Sequence, residues 1–283
     1  MKELLKNIEK NSVDLKHFSH IGVGTISDIY FPTSVQDVAT LYRYKKKIYP
    51  IAGGSNILFK EKRNYSLFSD KRMEKVFYIK GDKVIVSSSK DINSTVNSLA
   101  KAGFGGLEFL YGIPAHIGGL TFMNASAFGF QIADLIDFVD IICSDGEAKR
   151  LSKKDCNFAY RKSDIIGFIT KVGFNLKSND FKQIIDTRDY YFNKRVKTQP
   201  LNSKNIGSIF KNIPSEKPVA FLIEKCGLKG KRVGGAKISS KHSNFIINDK
   251  NATYFDVKSL IKQVKNEVYK KMGIELTLEI KVL

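Results

Sequence analysis

Cysteine is scarce in this chain: Cys143, Cys156 and Cys226 are the whole complement, scattered and odd in number. Such a set builds no disulfide framework and fits a reducing compartment, so a cytoplasmic location is expected. Long apolar runs are missing as well. No stretch reaches the ~18 residues that a membrane span requires. The opening segment, Met1 to Phe18, has no continuous apolar block of the kind a secretory signal carries, and none is expected. Acidic residues are few: 28 Asp and Glu face 47 Lys and Arg, a formal net charge of +19. The excess calls for an anionic partner. Arginine is also scarce, however, at eight of those 47. Specific readout of bases and phosphates leans on arginine forks. The aromatic-basic strands of an RNA-binding module are not found either, so no nucleic-acid partner is expected. A lysine-rich solvated surface accounts for the charge, and so does a small anionic substrate or a nucleotide cofactor.

Several signatures of catalysis are missing too. There is no GxxxxGK[ST] loop and no GxSxG elbow. Gly22-Val23-Gly24-Thr25-Ile26-Ser27 starts like a dinucleotide fingerprint but ends in serine and follows no convincing strand. His17 and His20 have helical i,i+3 spacing, yet no Cys or carboxylate cluster joins them, so no metal is expected.

At 283 residues the chain has room for two or three domains, at roughly 150 residues each. Ser34 reads as the N-cap of a helix to Ile48 with Asp37 in its first turn. A strand over Tyr49–Ala52 leads to the turn Gly53-Gly54-Ser55-Asn56 and the apolar exit Ile57-Leu58-Phe59. Val76–Ile79 and Val84–Ser87 read as strands about a Gly81-Asp82 turn. Asp91 caps a helix to Ala102. Strands over Phe138–Cys143 and Phe168–Leu176 follow, and then a charged helix, Phe181–Lys197. Beyond Asn179 comes an α/β pattern: a helix Val219–Cys226 stopped by Gly227, a strand Asn244–Asn248, and a helix capped by Asp256. Ile274–Leu283 alternates, with Leu276, Leu278, Ile280 and Val282 on one face, and reads as a closing strand. The fold class is α+β.

Two stretches are rich in glycine and small residues: Ala52-Gly53-Gly54-Ser55-Asn56, and Gly112 to Gly129 around Gly112-Ile113-Pro114-Ala115-His116-Ile117-Gly118-Gly119. Consecutive glycines let backbone N–H groups approach an anion and form a concave nest. Two such loops fit the pyrophosphate of a dinucleotide; they fit a pair of tight turns equally well.

With Tyr160-Arg161-Lys162-Ser163, Gly207-Ser208-Ile209-Phe210-Lys211-Asn212, Gly234-Gly235-Ala236-Lys237-Ile238-Ser239, His242–Asn248 and Leu278-Glu279-Ile280, these loops occur in one order. Together they resemble the UDP-N-acetylenolpyruvoylglucosamine reductases, from about Leu15 to the C-terminus. The resemblance implies a two-part FAD-binding domain of the vanillyl-alcohol-oxidase type plus a smaller α/β substrate-binding domain. The expected division is 1–70 and 71–178 for the two cofactor subdomains and 179–283 for the substrate domain, its last strand returning to the flavin. FAD, held non-covalently, would contact Gly53, Gly54, Ser55, Asn56, Ile57, Pro114, Ala115, Ile117, Gly118, Gly119, Asn124 and Ala125. NADPH would reduce the flavin, whose N5 then delivers hydride to the enolpyruvyl ether of UDP-N-acetylglucosamine, giving UDP-N-acetylmuramate for peptidoglycan synthesis. Arg161, Ser208 and Glu279 match the family's catalytic positions: a guanidinium fork for the substrate carboxylate, a proton donor, and a companion acid. Arg161, Lys211 and Asn212 would bind substrate. A monomer is expected.

The chain departs from the family at Ala115-His116, which stand where the family has Gly-Thr, and at Thr25-Ile26. The short interval between Ser163 and Asn193 points to the subclass without an inserted tyrosine loop. Two rival readings remain: another FAD oxidoreductase of the same fold, which need not keep Ser208, Arg161 and Glu279 together, and a basic RNA-binding protein.

Overall fold

The structure, a computed structural model, describes residues 5–80, 83–214 and 216–283. Its elements mix helices with parallel and antiparallel strands, as the α+β expectation requires. The chain divides into two compact units. The first runs to Ser12 and takes in Asp28–Gly53 and Asn64–Lys194; the second holds Val13–Ser27, Gly54–Arg63 and Arg195–Leu283.

In the first unit the strands Ile48–Ile51 and Ser66–Ser69 pair in parallel, with Ile51 opposite Ser69. Helix Val35–Tyr44 is closed at its start by a capping box in which Ser34 and Asp37 satisfy each other's backbone N–H groups. It stops at Tyr44, four residues before the expected end, because Ile48 is already paired into the sheet with Ser66. An antiparallel five-stranded sheet follows, in the order Ala148–Ser152, Ile136–Ile142, Phe168–Asn175, Lys83–Ser87, Phe77–Lys80. Phe77–Lys80 and Lys83–Ser87 are the anticipated hairpin strands; their Gly81-Asp82 turn lies outside the described residues. Helix Ile92–Lys101, capped by the Asp91 carboxylate at Ser94 N, 2.9 Å away, brings Val96 and Leu99 into one core with Val86, Val139, Val172, Phe174 and Ile117. Each such side chain fully buried contributes about 1.5–3 kcal/mol.

The second unit has a four-stranded antiparallel sheet, ordered Asn205–Ser208, Phe245–Asn248, Ala236–Ile238, Arg232–Val233. Helix Tyr254–Met272 buries Val257, Leu260, Ile261, Val264 and Val268, a single stripe at helical spacing. Its N-cap is Thr253, not the expected Asp256; Asp256 sits at N3 and completes the capping box. Asp256 Oδ2 also accepts from Gly235 N at 3.3 Å. Ile206, Phe210, Val219 and Ile223 share the core with Ile21, Val23 and Leu58 from far upstream.

The closing segment corrects the expectation of one continuous strand. Leu276 and Ile280 are buried, in keeping with the alternation, but the backbone changes partner partway along. Glu279 N donates to Ile209 O at 2.8 Å and Thr277 O accepts from Lys211 N at 2.9 Å. From Lys281 on, the segment pairs in parallel with Ile57-Leu58 instead.

Candidate active site

In the first unit, the parallel strands Ile48–Ile51 and Ser66–Ser69 end with Ile51 opposite Ser69 and lead on to Gly53 and Asp70. Open α/β sheets bind ligands at such ends. The loop Pro114–Gly119 closes on them. A Cβ at Gly53 would lie 3.1 Å from both Ala115 Cα and Pro114 O, so a side chain there would press the two loops slightly apart. At Gly118 a Cβ would meet Ser88 Cβ at 2.8 Å, whereas at Gly119 it meets only Ala52 Cβ at 3.9 Å. Gly118 therefore packs inward, whereas Gly119 has only one neighbour, at ordinary contact distance.

Helix Ile117–Phe122 begins here, and its first-turn N–H groups need acceptors outside the helix. Gly118 N finds Ser88 O at 2.9 Å and Ile117 N finds Lys90 O at 3.0 Å. Among the described residues nothing accepts from Gly119 N or Gly53 N. Two unsatisfied backbone donors beside a glycine-lined gap fit an anionic group such as a pyrophosphate. The residues present are thus compatible with FAD.

His116, the departure flagged in the sequence, turns away from this loop. Its Nδ1 lies 2.8 Å from Asp70 Oδ2. Asp70 is buried, and its other carboxylate oxygen has no partner among the described residues. Nothing in the sequence singled out Asp70, because the pairing spans two loops.

Ala125 and Asn124 are buried just beyond the helix. The Asn124 amide is fully engaged within the protein, donating to Gln131 Oε1 and Ala159 O at 3.0 Å and accepting from Ala133 N at 3.2 Å. Through Ala159 it supports the turn that carries Arg161, whose Nη2 donates to Ser126 O at 3.1 Å. The first unit thus gathers Gly53, the Pro114–Gly119 loop, Asn124, Ala125 and Arg161 along one run of loops.

The second unit gathers the rest. Gly207, at φ +75, puts an irregularity into the strand pairing just before Ser208. Asn244 clamps the residues that follow: its Oδ1 accepts from Phe210 N at 3.0 Å and its Nδ2 donates to Phe210 O at 2.8 Å. Glu279 N reaches Ile209 O, and Glu279 O accepts from Asn56 Nδ2 at 3.3 Å. Ser208, Glu279 and Asn56 therefore lie on adjoining backbones, with Ser55 O just 3.9 Å from the Cβ position of Gly207. Gly54 is fixed differently. Its φ is +69, and a Cβ there would collide with the Phe18 carbonyl. Ile57 is paired opposite Lys281. Lys211 is half-buried, and Asn212 uses its Oδ1 to accept from Val219 N at 3.0 Å, at the start of helix Val219–Lys225.

Among the described residues no His, Cys, Asp and Glu cluster could hold a metal ion, and no helix is long and apolar enough to cross a membrane.

The fold is that of an FAD-binding oxidoreductase: the family model described as FAD binding domain matches residues 27–152. The model described as UDP-N-acetylenolpyruvoylglucosamine reductase, C-terminal domain, matches residues 199–283. The reductase of that name from Thermotoga sp. (strain RQ2) is 33% identical, over 100% of this chain and 98% of its own length. The one from Chloroherpeton thalassium is 35% identical, over 100% and 96%. The crystal structure of UDP-N-acetylenolpyruvylglucosamine reductase from Thermus caldophilus superposes with a TM-score of 0.85 at 30% identity, covering 97% of this chain and 99% of that one. The chain belongs to the UDP-N-acetylenolpyruvoylglucosamine reductase family.

Proposed function

We propose that the protein reduces the enolpyruvyl ether of UDP-N-acetylglucosamine to UDP-N-acetylmuramate, with NADPH as electron donor, in peptidoglycan precursor synthesis. Bound FAD supplies the hydride for the methylene carbon. The chain's own residues supply the rest. The Arg161 guanidinium, a planar fork, holds the substrate carboxylate as negative charge develops on it. Ser208 donates the proton to the carbon bearing that carboxylate, with Glu279 as companion acid. Lys211 and Asn212 take the diphosphate and uridine end. Gly53, Gly54, Ser55, Asn56, Ile57, Pro114, Ala115, Ile117, Gly118, Gly119, Asn124 and Ala125 hold or support the cofactor.

The observation that carries this reading is the meeting of Ser208 and Glu279. They come from distant parts of the sequence, and the hydrogen bond from Glu279 N to Ile209 O joins their backbones. In the proposed division of labour, 1–70 and 71–178 serve the cofactor and 179–283 the substrate. The matches of the two family models to 27–152 and 199–283 support it.

Two measurements test the reading. The purified protein should show flavin bands in its visible spectrum. The enzyme, reduced anaerobically with NADPH, should be reoxidised by UDP-N-acetylglucosamine-enolpyruvate with formation of UDP-N-acetylmuramate. A colourless protein that gains no flavin on incubation with FAD would sink the proposal.

A further inference from the structure

We propose that Ser126 is a positioning residue that sets the direction of the Arg161 guanidinium before substrate arrives. The inference rests on the reading of Arg161 as the carboxylate anchor and extends it to a residue that this reading gives no role.

Arg161 has a φ of +54. A long side chain rarely adopts this left-handed backbone, which persists only where the surroundings over-determine it. The first determinant is the turn itself. Ala159 N donates to Lys162 O at 2.9 Å and Lys162 N donates back to Ala159 O at 3.1 Å, so Tyr160 and Arg161 form the two corners of a closed loop. The second is a set of ties at alternate residues. Ser163 Oγ donates to Phe122 O at 2.8 Å, Asn124 Nδ2 donates to Ala159 O at 3.0 Å, and Arg161 is joined to Ser126. Residues 122, 124 and 126 thus hold 163, 159 and 161.

The last of these ties differs from the others because it grips a side chain by both prongs. Arg161 Nη1 donates to the Ser126 hydroxyl, and Nη2 donates to the Ser126 carbonyl oxygen. Ser126 is itself fixed, since it pairs with Gln131 in the short ladder of Ser126–Ala127 with Phe130–Gln131. Two acceptors on one anchored residue define the plane of the guanidinium as well as its place. An arginine has several rotatable bonds, and ordering them in advance removes that loss from the substrate-bound state.

The test uses holoenzyme with Ser126→Ala, Ser126→Thr, Arg161→Ala and the Ser126→Ala/Arg161→Ala double variant. Rapid mixing measures the reductive half-reaction with NADPH and the oxidative half-reaction with UDP-N-acetylglucosamine-enolpyruvate, and a thermal melt accompanies each variant. Ser126→Ala should lower the limiting oxidative rate about tenfold or more, the scale for one hydrogen bond to a charged group. Its reductive rate and melting temperature should stay at the wild-type values. Ser126→Thr, which keeps the hydroxyl, should restore the oxidative rate to within about threefold. In the Arg161→Ala background, Ser126→Ala should cost nothing further, because its only route of action is gone.

A wild-type oxidative rate in Ser126→Ala beside a slow Arg161→Ala overturns the inference and leaves the role of Arg161 standing. An equal loss from Ser126→Ala in both backgrounds overturns it too, as a merely structural effect. A wild-type oxidative rate in Arg161→Ala overturns the underlying reading itself. Should Ser126→Ala fail to fold, Ser126→Cys serves in its place, its thiol being a weak acceptor of similar size.

Discussion

His116 and Asp70 form an ion-pair geometry, Nδ1 to Oδ2 at 2.8 Å, with the Asp70 side chain 2% exposed and that of His116 17%. The pair ties the loop that begins the short helix to the carboxyl end of a parallel strand. The His116 imidazole thereby points at a carboxylate.

Removing one partner of a buried pair strands the other. His116→Ala should destabilise the fold by about 3 kcal/mol, in the range for an uncompensated buried charge. Asp70→Ala/His116→Ala together should recover part of that loss. Urea unfolding of the three proteins measures this, and a double variant as unstable as the sum of the singles would show that the two do not interact.

The adjacent glycines should behave differently. Gly53→Ala presses on the Pro114–Ala115 backbone, 3.1 Å away, and should weaken FAD binding at least tenfold with little change in melting temperature. Gly54→Ala meets the Phe18 carbonyl at a left-handed backbone and should lower stability by about 2 kcal/mol. FAD titration of each apoprotein with its thermal melt separates the two outcomes.

Ser208→Ala should leave the reductive half-reaction with NADPH intact and slow the oxidative one by at least ~10²-fold, the lower range for loss of a positioned acid. Glu279→Gln should impair the same half-reaction. Anaerobic reoxidation at the wild-type rate in Ser208→Ala would remove it from the mechanism.

Hydrogen bonds from the backbone N–H of Thr253, and then of Gly235, hold the Asp256 carboxyl below its ordinary value of 3.8. A depressed folded-state value means that the carboxylate's contribution is complete above about pH 4 and fades as pH falls through the folded value. Asp256→Asn should therefore lower stability at pH 7, and the gap to wild type should narrow below pH 4. Urea midpoints measured from pH 7 to pH 3 would show it; a gap independent of pH would refute the assignment.

Burial pushes the Cys156 thiol up to about 11 and raises that of Cys226 as well. Both are shielded, whereas Cys143 is partly exposed. At pH 8 a thiol reagent should modify Cys143 in the folded protein and reach the other two only after denaturation. Mass spectrometry of the labelled peptides decides this.

Features that depend on neighbours in sequence were legible. Ser34, Asp91 and Gly227 marked helix ends correctly, because a cap acts within three or four residues. The pairing of Asp70 with His116 and of Ser126 with Arg161 left no trace, since a hydrogen bond between remote loops imposes no periodicity. The closing segment misled for the same reason. Its alternation correctly gave the buried face, but alternation is silent about which strand lies alongside, and here the partner changes between Glu279 and Lys281. Thr253 was overlooked because Asp256, three residues on, carries the same capping chemistry.

Ile21, Val23 and Leu58 complete the core of the second unit with residues as late as Leu276 and Ile280. During synthesis the ribosome emits those three residues long before it makes their partners. They must stay exposed or be sheltered by chaperones until nearly the whole chain has emerged. A released chain that ends just before Leu276 would carry a second unit without its closing segment, open to proteases that spare the finished enzyme.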